Sequence, residues 1–84
     1  MKIFENIINH KINTITTDEL LKYAKQFHIK ITRQQAHDIA NYLRGRNINI
    51  FNGTDRIMVI KEIAIIAGPE TAKELNKLFV QFTK

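Results

Sequence analysis

Residues 57–69, IMVIKEIAIIAGP, set the expectation for the fold. Apart from Lys61 and Glu62, the stretch is apolar nearly all round a helix, which is typical of a helix covered by its neighbours. Gly68-Pro69 ends it, since glycine is favoured just beyond a helix and proline at the first position of the next one. The stretch therefore predicts two consecutive helices, the first of them in the centre of a bundle. They span about 55–67 and 69–82.

Three more helices are predicted on the N-terminal side. Near the start of the chain, apolar residues recur at the i, i+3 and i+4 spacing of an amphipathic helix. A threonine followed three residues later by Glu or Gln forms a capping box, which marks a helix start, and this pattern occurs twice. The two pairs are Thr16 with Glu19 and Thr32 with Gln35. The predicted helices span about 3–12, 17–27 and 33–44.

Two short segments of alternating sequence flank the third of these helices, and they leave two interpretations open. Residues 29–31 and 48–50 could pair as a minimal two-stranded ribbon, or lie as extended linkers with their isoleucines in the core. Gly45 stands where the third helix should end in a left-handed residue, and Asn52-Gly53 indicates a turn. The predicted fold class is all-α, a compact bundle of four to five short helices in one domain, residues 1–84.

Length and composition limit the other possibilities. A chain of 84 residues without cysteine must obtain its core from apolar residues alone, so its stability margin should be small. No segment approaches the roughly 20 apolar residues that span a bilayer, so we expect no membrane partner. The N-terminal MKIFENIINHKIN lacks the continuous apolar run and the cleavage site of a signal peptide. We therefore expect a cytoplasmic protein.

Residues for catalysis are scarce. The chain has neither serine nor cysteine, the commonest nucleophiles. Its three histidines, His10, His28 and His37, follow no metal-binding spacing, and no pair of acids shares a helix face with a histidine. We therefore expect a protein that is not an enzyme, with no catalytic residue, no metal ligand and no cofactor.

The positive charge is concentrated in residues 22–46, called the basic region below. This region holds the entire formal net charge of +5, because it contains six basic side chains and a single acidic one, Asp38. The six are Lys22, Lys25, Lys30, Arg33, Arg44 and Arg46. A basic surface is typical of proteins that bind anionic partners, so the sequence predicts a non-catalytic binding module for nucleic acid or an acidic protein surface.

A second interpretation uses apolar side chains instead. So small a core can leave apolar residues uncovered, and Ile48, Ile50 and Phe51 are candidates for a protein-protein or self-association interface. A monomer or a weak homodimer is expected. Arg44-Gly45-Arg46 lacks the glycine-rich run and the Lys-Ser/Thr of a nucleotide P-loop, although two arginines could contact a phosphate backbone.

The segment from the first capping box to the end of the third helix resembles the helix–extended loop–helix pattern of SAP-type nucleic-acid-binding motifs. The resemblance rests on Ile15, Glu19-Leu20-Leu21, Phe27-His28-Ile29, Ala36, Ile39-Ala40 and Leu43. His28 stands where those motifs usually have a glycine, so the geometry of the loop is the point at which the chain departs from the pattern.

Four segments carry a resemblance that covers nearly the whole chain. They are Ile8 to Asn13 (INHKIN), Asp18 to Phe27 (DELLKYAKQF), Leu43 to Asn52 (LRGRNINIFN) and Thr71 to Phe79 (TAKELNKLF). In them the chain resembles the YqfT-like family of small uncharacterised proteins from Bacillus-type bacteria. The resemblance implies a helical, cytoplasmic protein. It implies no site residues, because that family has no established activity.

Overall fold

Five α-helices make up the regular structure of residues 2–82, the part of the chain that the computed structural model describes. They are α1 (Lys2–Thr14), α2 (Thr17–Gln26), α3 (Arg33–Leu43), α4 (Gly53–Ala67) and α5 (Pro69–Phe82). Each helix begins and ends within about two residues of its predicted bounds. The all-α fold class is confirmed.

Both predicted capping boxes are present. The Thr16 hydroxyl accepts a hydrogen bond from the Glu19 N–H at 3.2 Å, and Glu19 Oε1 accepts one from the Thr16 N–H at 3.0 Å. Thr32 and Gln35 make the same reciprocal pair at 3.1 and 2.9 Å. These bonds satisfy backbone donors that have no partner inside the helix, so each box fixes where its helix starts.

At the end of α2, His28 occupies the position at which SAP-type motifs usually have a glycine. His28 adopts a left-handed conformation with φ of 59°. Its N–H donates to the Lys25 carbonyl at 3.2 Å, and the Ile29 N–H donates to the Ala24 carbonyl at 2.7 Å. These two bonds form a Schellman motif, which ends the helix and turns the chain into the extended segment before α3.

Replacing His28 with glycine should raise the free energy of unfolding by about 1 kcal/mol, because a side chain in the left-handed region is strained and glycine is not. Urea denaturation followed by circular dichroism measures the change. Asn47→Gly is the matched control, since Asn47 has φ of 57° but asparagine tolerates this conformation better. A gain at His28 no larger than the gain at Asn47 would contradict the explanation.

The centre of the bundle is α3 rather than α4, which corrects the sequence-based prediction. The α3 helix contacts α1, α2 and α4, and its inner side is almost completely buried. Ala36 and Ala40 are small enough to let the neighbouring helices approach closely. The α4 helix packs only against α3 and α5 in the described residues, so Met58 and Ile65 on its outer side stay 45% and 78% exposed.

Residues 48–50 lie in the linker between α3 and α4 and form no strand among residues 2–82; Ile50 is part of a turn that the Asn52 N–H closes by donating to the Asn49 carbonyl at 3.0 Å. Ile48 and Ile50 point into the core and are 2% and 0% exposed. Two asparagines of α1, four residues apart and hence on one side of the helix, bind the linker's backbone. Asn13 Oδ1 accepts from the Ile48 N–H at 2.8 Å, while Asn13 Nδ2 donates to the Ile48 carbonyl at 2.9 Å. Asn9 Oδ1 accepts from the Ile50 N–H at 2.9 Å.

A single residue connects α4 to α5. Gly68 has φ of 94° and ψ of 160°, a conformation essentially restricted to glycine. Its N–H donates to the Ala64 carbonyl at 2.9 Å, and its carbonyl accepts from the Ala72 N–H at 3.1 Å. Gly68 thus ends one helix and begins the next, and α5 folds back against α4.

Candidate binding surface

The six cations of the basic region are all exposed, but they form no single compact cluster. Lys22 and Lys25 lie on the outer side of α2, and Lys30 lies in the segment before α3. Arg33 is the first residue of α3, whereas Arg44 and Arg46 follow its last residue. A helix rises about 1.5 Å per residue, so the backbones of Arg33 and Arg44 are about 16 Å apart along α3.

Arg33 differs from the other five because its charge is partly balanced. Its guanidinium Nη1 lies 3.0 Å from Asp18 Oδ1, in the first turn of α2. Both side chains are largely exposed, so the ion pair adds little stability. It does place the first turns of α2 and α3 side by side, and it reduces the positive potential at this end of the basic region.

The two arginines beyond α3 are held by neighbouring groups of that helix. The Arg46 guanidinium lies over the Tyr42 ring, 3.9 Å from its centroid, and its Nε donates to the Tyr42 carbonyl. Arg44 donates to Asn41 Oδ1, and Asn41 Nδ2 lies 3.0 Å from His37 Nε2. Both guanidinium groups keep N–H donors that these contacts do not use, so they can bind an oxyanion.

Five of the six cations have no carboxylate partner among residues 2–82. They are Lys22, Lys25, Lys30, Arg44 and Arg46; the ion pairs of this part of the chain involve other basic residues or Arg33. The unpaired positive charge of the basic region therefore follows α2, the segment before α3 and the end of α3.

The proposed interface at residues 48–51 needs correction. Ile48 and Ile50 are core residues, because the bonds from Asn9 and Asn13 turn their backbone toward α1 and their side chains inward. Phe51 is half-buried against the same core. The exposed large apolar side chains nearest the chain's start are Ile3, Phe4 and Ile7 of α1.

An ion pair that sequence spacing did not predict joins α1 to α2. Lys11 Nζ lies 2.6 Å from Glu19 Oε2. The Lys11 ammonium, which donates to this carboxyl, lowers the pKa of Glu19, and the Thr16 N–H lowers it further. The same hydrogen bond raises the pKa of Lys11. The two residues lie on different helices, so helical spacing rules give no signal for the pair.

Beside this ion pair, a cavity of about 300 Å³ lies between α1, α2 and α5. Its walls include Ile8 and Ile12 of α1, Tyr23 of α2 with Phe27 just beyond that helix, and Leu78 and Phe79 of α5. Ile39 and Ile63 form its floor, so the cavity reaches the middle of the core. Its lining residues follow ordinary helical apolar spacing, and nothing in the sequence separates them from close-packed core.

Other kinds of site are not found in the described part of the chain. Residues 2–82 contain no group of three or more His, Cys, Asp or Glu side chains that could hold a metal ion. Among the same residues, no helix is both long enough and apolar enough to cross a membrane.

The fold and the surface define a small all-α bundle with exposed basic side chains that have no carboxylate partner among residues 2–82. Residues 1–83 match the family model described as a protein of unknown function, DUF2624, and the chain belongs to this family. A relative is the uncharacterised protein YqfT of Bacillus subtilis (strain 168), which is 47% identical over 83 residues, 99% of each chain. The resemblance to the YqfT-like family is thereby confirmed. No solved structure matches the chain.

Proposed function

We propose that this chain is a non-catalytic, cytoplasmic binding module whose basic region contacts an acidic partner, and that the partner is nucleic acid. The observation that carries the proposal is the set of five exposed cations without a carboxylate partner among residues 2–82. Contacts to phosphate need positive charge and hydrogen-bond donors but little sequence-specific geometry. Phosphates repeat along a nucleic-acid backbone, so cations at separate positions on the surface can each contact a different phosphate.

Two further features support the proposal, the first for any anionic partner and the second for nucleic acid. The packing of Arg46 on Tyr42 and the bond from Arg44 to Asn41 restrict both side chains before binding, which lowers the entropy lost on contact. The order of α2, the intervening segment and α3 is also that of the helix–extended loop–helix pattern of SAP-type motifs, which this part of the sequence resembles, and His28 has the left-handed conformation at the glycine position of that pattern.

Neutralising two of the lysines should weaken binding without affecting the fold. At about 0.1 M salt, Lys22→Gln with Lys25→Gln should raise the Kd for a 20-nucleotide single strand or a 20-base-pair duplex roughly tenfold or more, because two phosphate contacts are lost. Fluorescence anisotropy measures the Kd. The matched control is Lys61→Gln with Lys73→Gln, two exposed lysines on α4 and α5 that lie outside the basic region.

Equal weakening by the two pairs of substitutions would show that only total charge matters, and would remove the basic region from the proposal. No binding of either nucleic acid at low salt would end the nucleic-acid proposal. Binding of polyglutamate in that case would assign the surface to an acidic protein instead.

A second candidate function is self-association through α1, which the exposure of Ile3, Phe4 and Ile7 favours. If the first turns of α1 form a dimer interface, the wild-type protein should show twice the monomer mass in light scattering. Ile3→Ser with Ile7→Ser should then restore the monomer mass, while Ile57→Ser with Ile65→Ser, equally apolar and exposed on α4, should not. A monomer mass for the wild type at about 1 mM protein would rule out this candidate.

A further inference from the structure

The cavity between α1, α2 and α5 is a separate feature from the basic region, and it reaches deeper than a surface groove. Ile39 and Ile63, which form its floor, are 1% and 0% exposed, so the cavity ends in the middle of the core. It opens to solvent on a side where Lys11 and Phe27, both exposed, form part of the lining. An unfilled apolar space destabilises a protein in proportion to its volume, and a chain of 84 residues without disulfides has little stability to spare.

The lining restricts what can enter. All but two of the lining residues, Lys11 and Tyr23, have wholly apolar side chains. Among the described residues, no polar or charged side chain is buried, and no buried polar atom lacks a hydrogen bond. A polar group entering the cavity would therefore lose its hydrogen bonds to water without replacement. The buried part of a ligand must be hydrocarbon.

The volume sets the length of that hydrocarbon. A water molecule takes about 30 Å³ in the liquid and a methylene group is similar in size, so 300 Å³ holds about eight to ten such groups. This is twice the volume of an engineered apolar cavity of about 150 Å³ that stays dry and binds benzene. The volume accommodates a single unbranched chain of this length and is too small for a ring system of many more than ten carbons.

The mouth of the cavity supplies a cation for a head group. Glu19 is held by the α2 capping box through its Oε1, so its carboxylate is fixed in place. Lys11 reaches Oε2 with a long, flexible side chain and keeps two more N–H donors. An incoming carboxylate can therefore share the Lys11 ammonium without breaking the helix cap.

We propose that this cavity binds a single unbranched acyl chain of about eight to ten carbons, with its carboxylate beside Lys11. The site is independent of the basic region, since none of the six cations of that region lines the cavity.

Titration calorimetry with octanoate, kept below its micelle-forming concentration, tests the site. We expect saturable one-to-one binding with a Kd of about 1 mM or lower, the affinity that some ten non-hydrogen atoms can supply. Butyrate carries the same charge on a chain too short to reach the cavity floor, so it should give no saturable signal. Absence of octanoate binding, or equal binding of both acids, would overturn the proposal.

Two variants fill the cavity from opposite walls. Ile8→Trp and Leu78→Trp should each weaken octanoate binding about tenfold or more, because the indole occupies the space of the chain. Ile65→Trp is the matched control, since Ile65 is on the exposed side of α4 and should leave the Kd unchanged. Far-UV circular dichroism identifies the variants that fold. A folded Ile8→Trp or Leu78→Trp with wild-type affinity would place octanoate elsewhere and overturn the proposal.

Lys11→Met tests the head group, because methionine keeps an apolar stem and removes the charge. The affinity for octanoate should fall about fivefold, as for an exposed ion pair of ordinary strength, while the affinity for octan-1-ol should not change. Equal effects on the two ligands, or no effect on octanoate, would show that the carboxylate does not lie beside Lys11.

Discussion

Replacing Asn13 with alanine should lower the free energy of unfolding by about 2–4 kcal/mol, because two backbone groups lose their partner together. The Asn13 amide accepts from the Ile48 N–H and donates to the Ile48 carbonyl, at 2.8 and 2.9 Å in a half-buried position. Alanine can bond to neither group, and Ile48 is only 2% exposed, so water is a poor substitute for the lost partner. Urea denaturation followed by circular dichroism at 222 nm measures the loss.

Asn6→Ala is the control for this substitution. Asn6 lies on the same helix and is exposed, so its replacement should change stability by less than about 0.5 kcal/mol. Asn13→Asp should fall between the two, since aspartate keeps the acceptor for the Ile48 N–H and loses the donor to the Ile48 carbonyl. If Asn13→Ala were as mild as Asn6→Ala, the amide bonds would not be what holds residues 48–50 to α1.

Gly68→Ala should lower the free energy of unfolding by about 1–3 kcal/mol. A β-carbon at this position would have no atom within 4 Å, so the loss would come from the backbone and not from a steric clash. At φ of 94° and ψ of 160° a residue with a side chain is strained, and the one-residue connection between α4 and α5 leaves no neighbour to absorb the change.

Gly53→Ala separates backbone strain from a general effect of removing glycine. Gly53 begins α4, has no positive φ and also has open space where the methyl group of alanine would lie. Alanine should therefore be neutral there, or should stabilise by up to about 1 kcal/mol. Similar losses at both positions would contradict the explanation.

The helices could be predicted from the sequence because their signals are local. Thr16, Thr32 and Asn52 bond to residues three positions further along the chain, and Gly68-Pro69 acts on its immediate neighbours. Each of these signals acts within one helical turn. It can therefore be recognised from the residue types and their spacing in the sequence. The five-helix all-α fold follows from such features almost without reference to tertiary structure.

The arrangement of those helices could not be predicted in the same way. Asn9 and Asn13 have the spacing of an ordinary polar helix face, yet they bind backbone groups 35 to 41 residues away. Apolar residues lie nearly all round α4, and this pattern predicted a central helix. In the structure α4 packs against α3 and α5 alone among the described helices, and some of its apolar side chains stay exposed. The alanines of α3 give a weaker hydrophobic signal, although Ala36 and Ala40 are both 0% exposed.

The basic residues of the candidate surface could be predicted from the sequence, but their contacts in the folded protein could be predicted only in part. Counting charges over residues 22–46 identifies six cations but overlooks Asp18, which pairs with Arg33 from fifteen residues earlier. The contact of Arg46 with Tyr42 could not be predicted from helical spacing, because Arg46 lies beyond the end of α3 and after the left-handed Gly45. The apolar cavity could not be predicted either, because its walls come from different helices, and α5 is far from α1 and α2 in the sequence.

The salt dependence of nucleic-acid binding shows whether the cations of the basic region contact phosphate. The logarithm of the association constant, plotted against the logarithm of salt concentration, should fall linearly for the wild-type protein. For Lys22→Gln with Lys25→Gln the slope should be smaller in magnitude by about 1.4–1.8, since each lost phosphate contact accounts for about 0.7–0.9. The same slope for both proteins, or no dependence on salt for the wild type, would contradict the proposal that these cations contact phosphate.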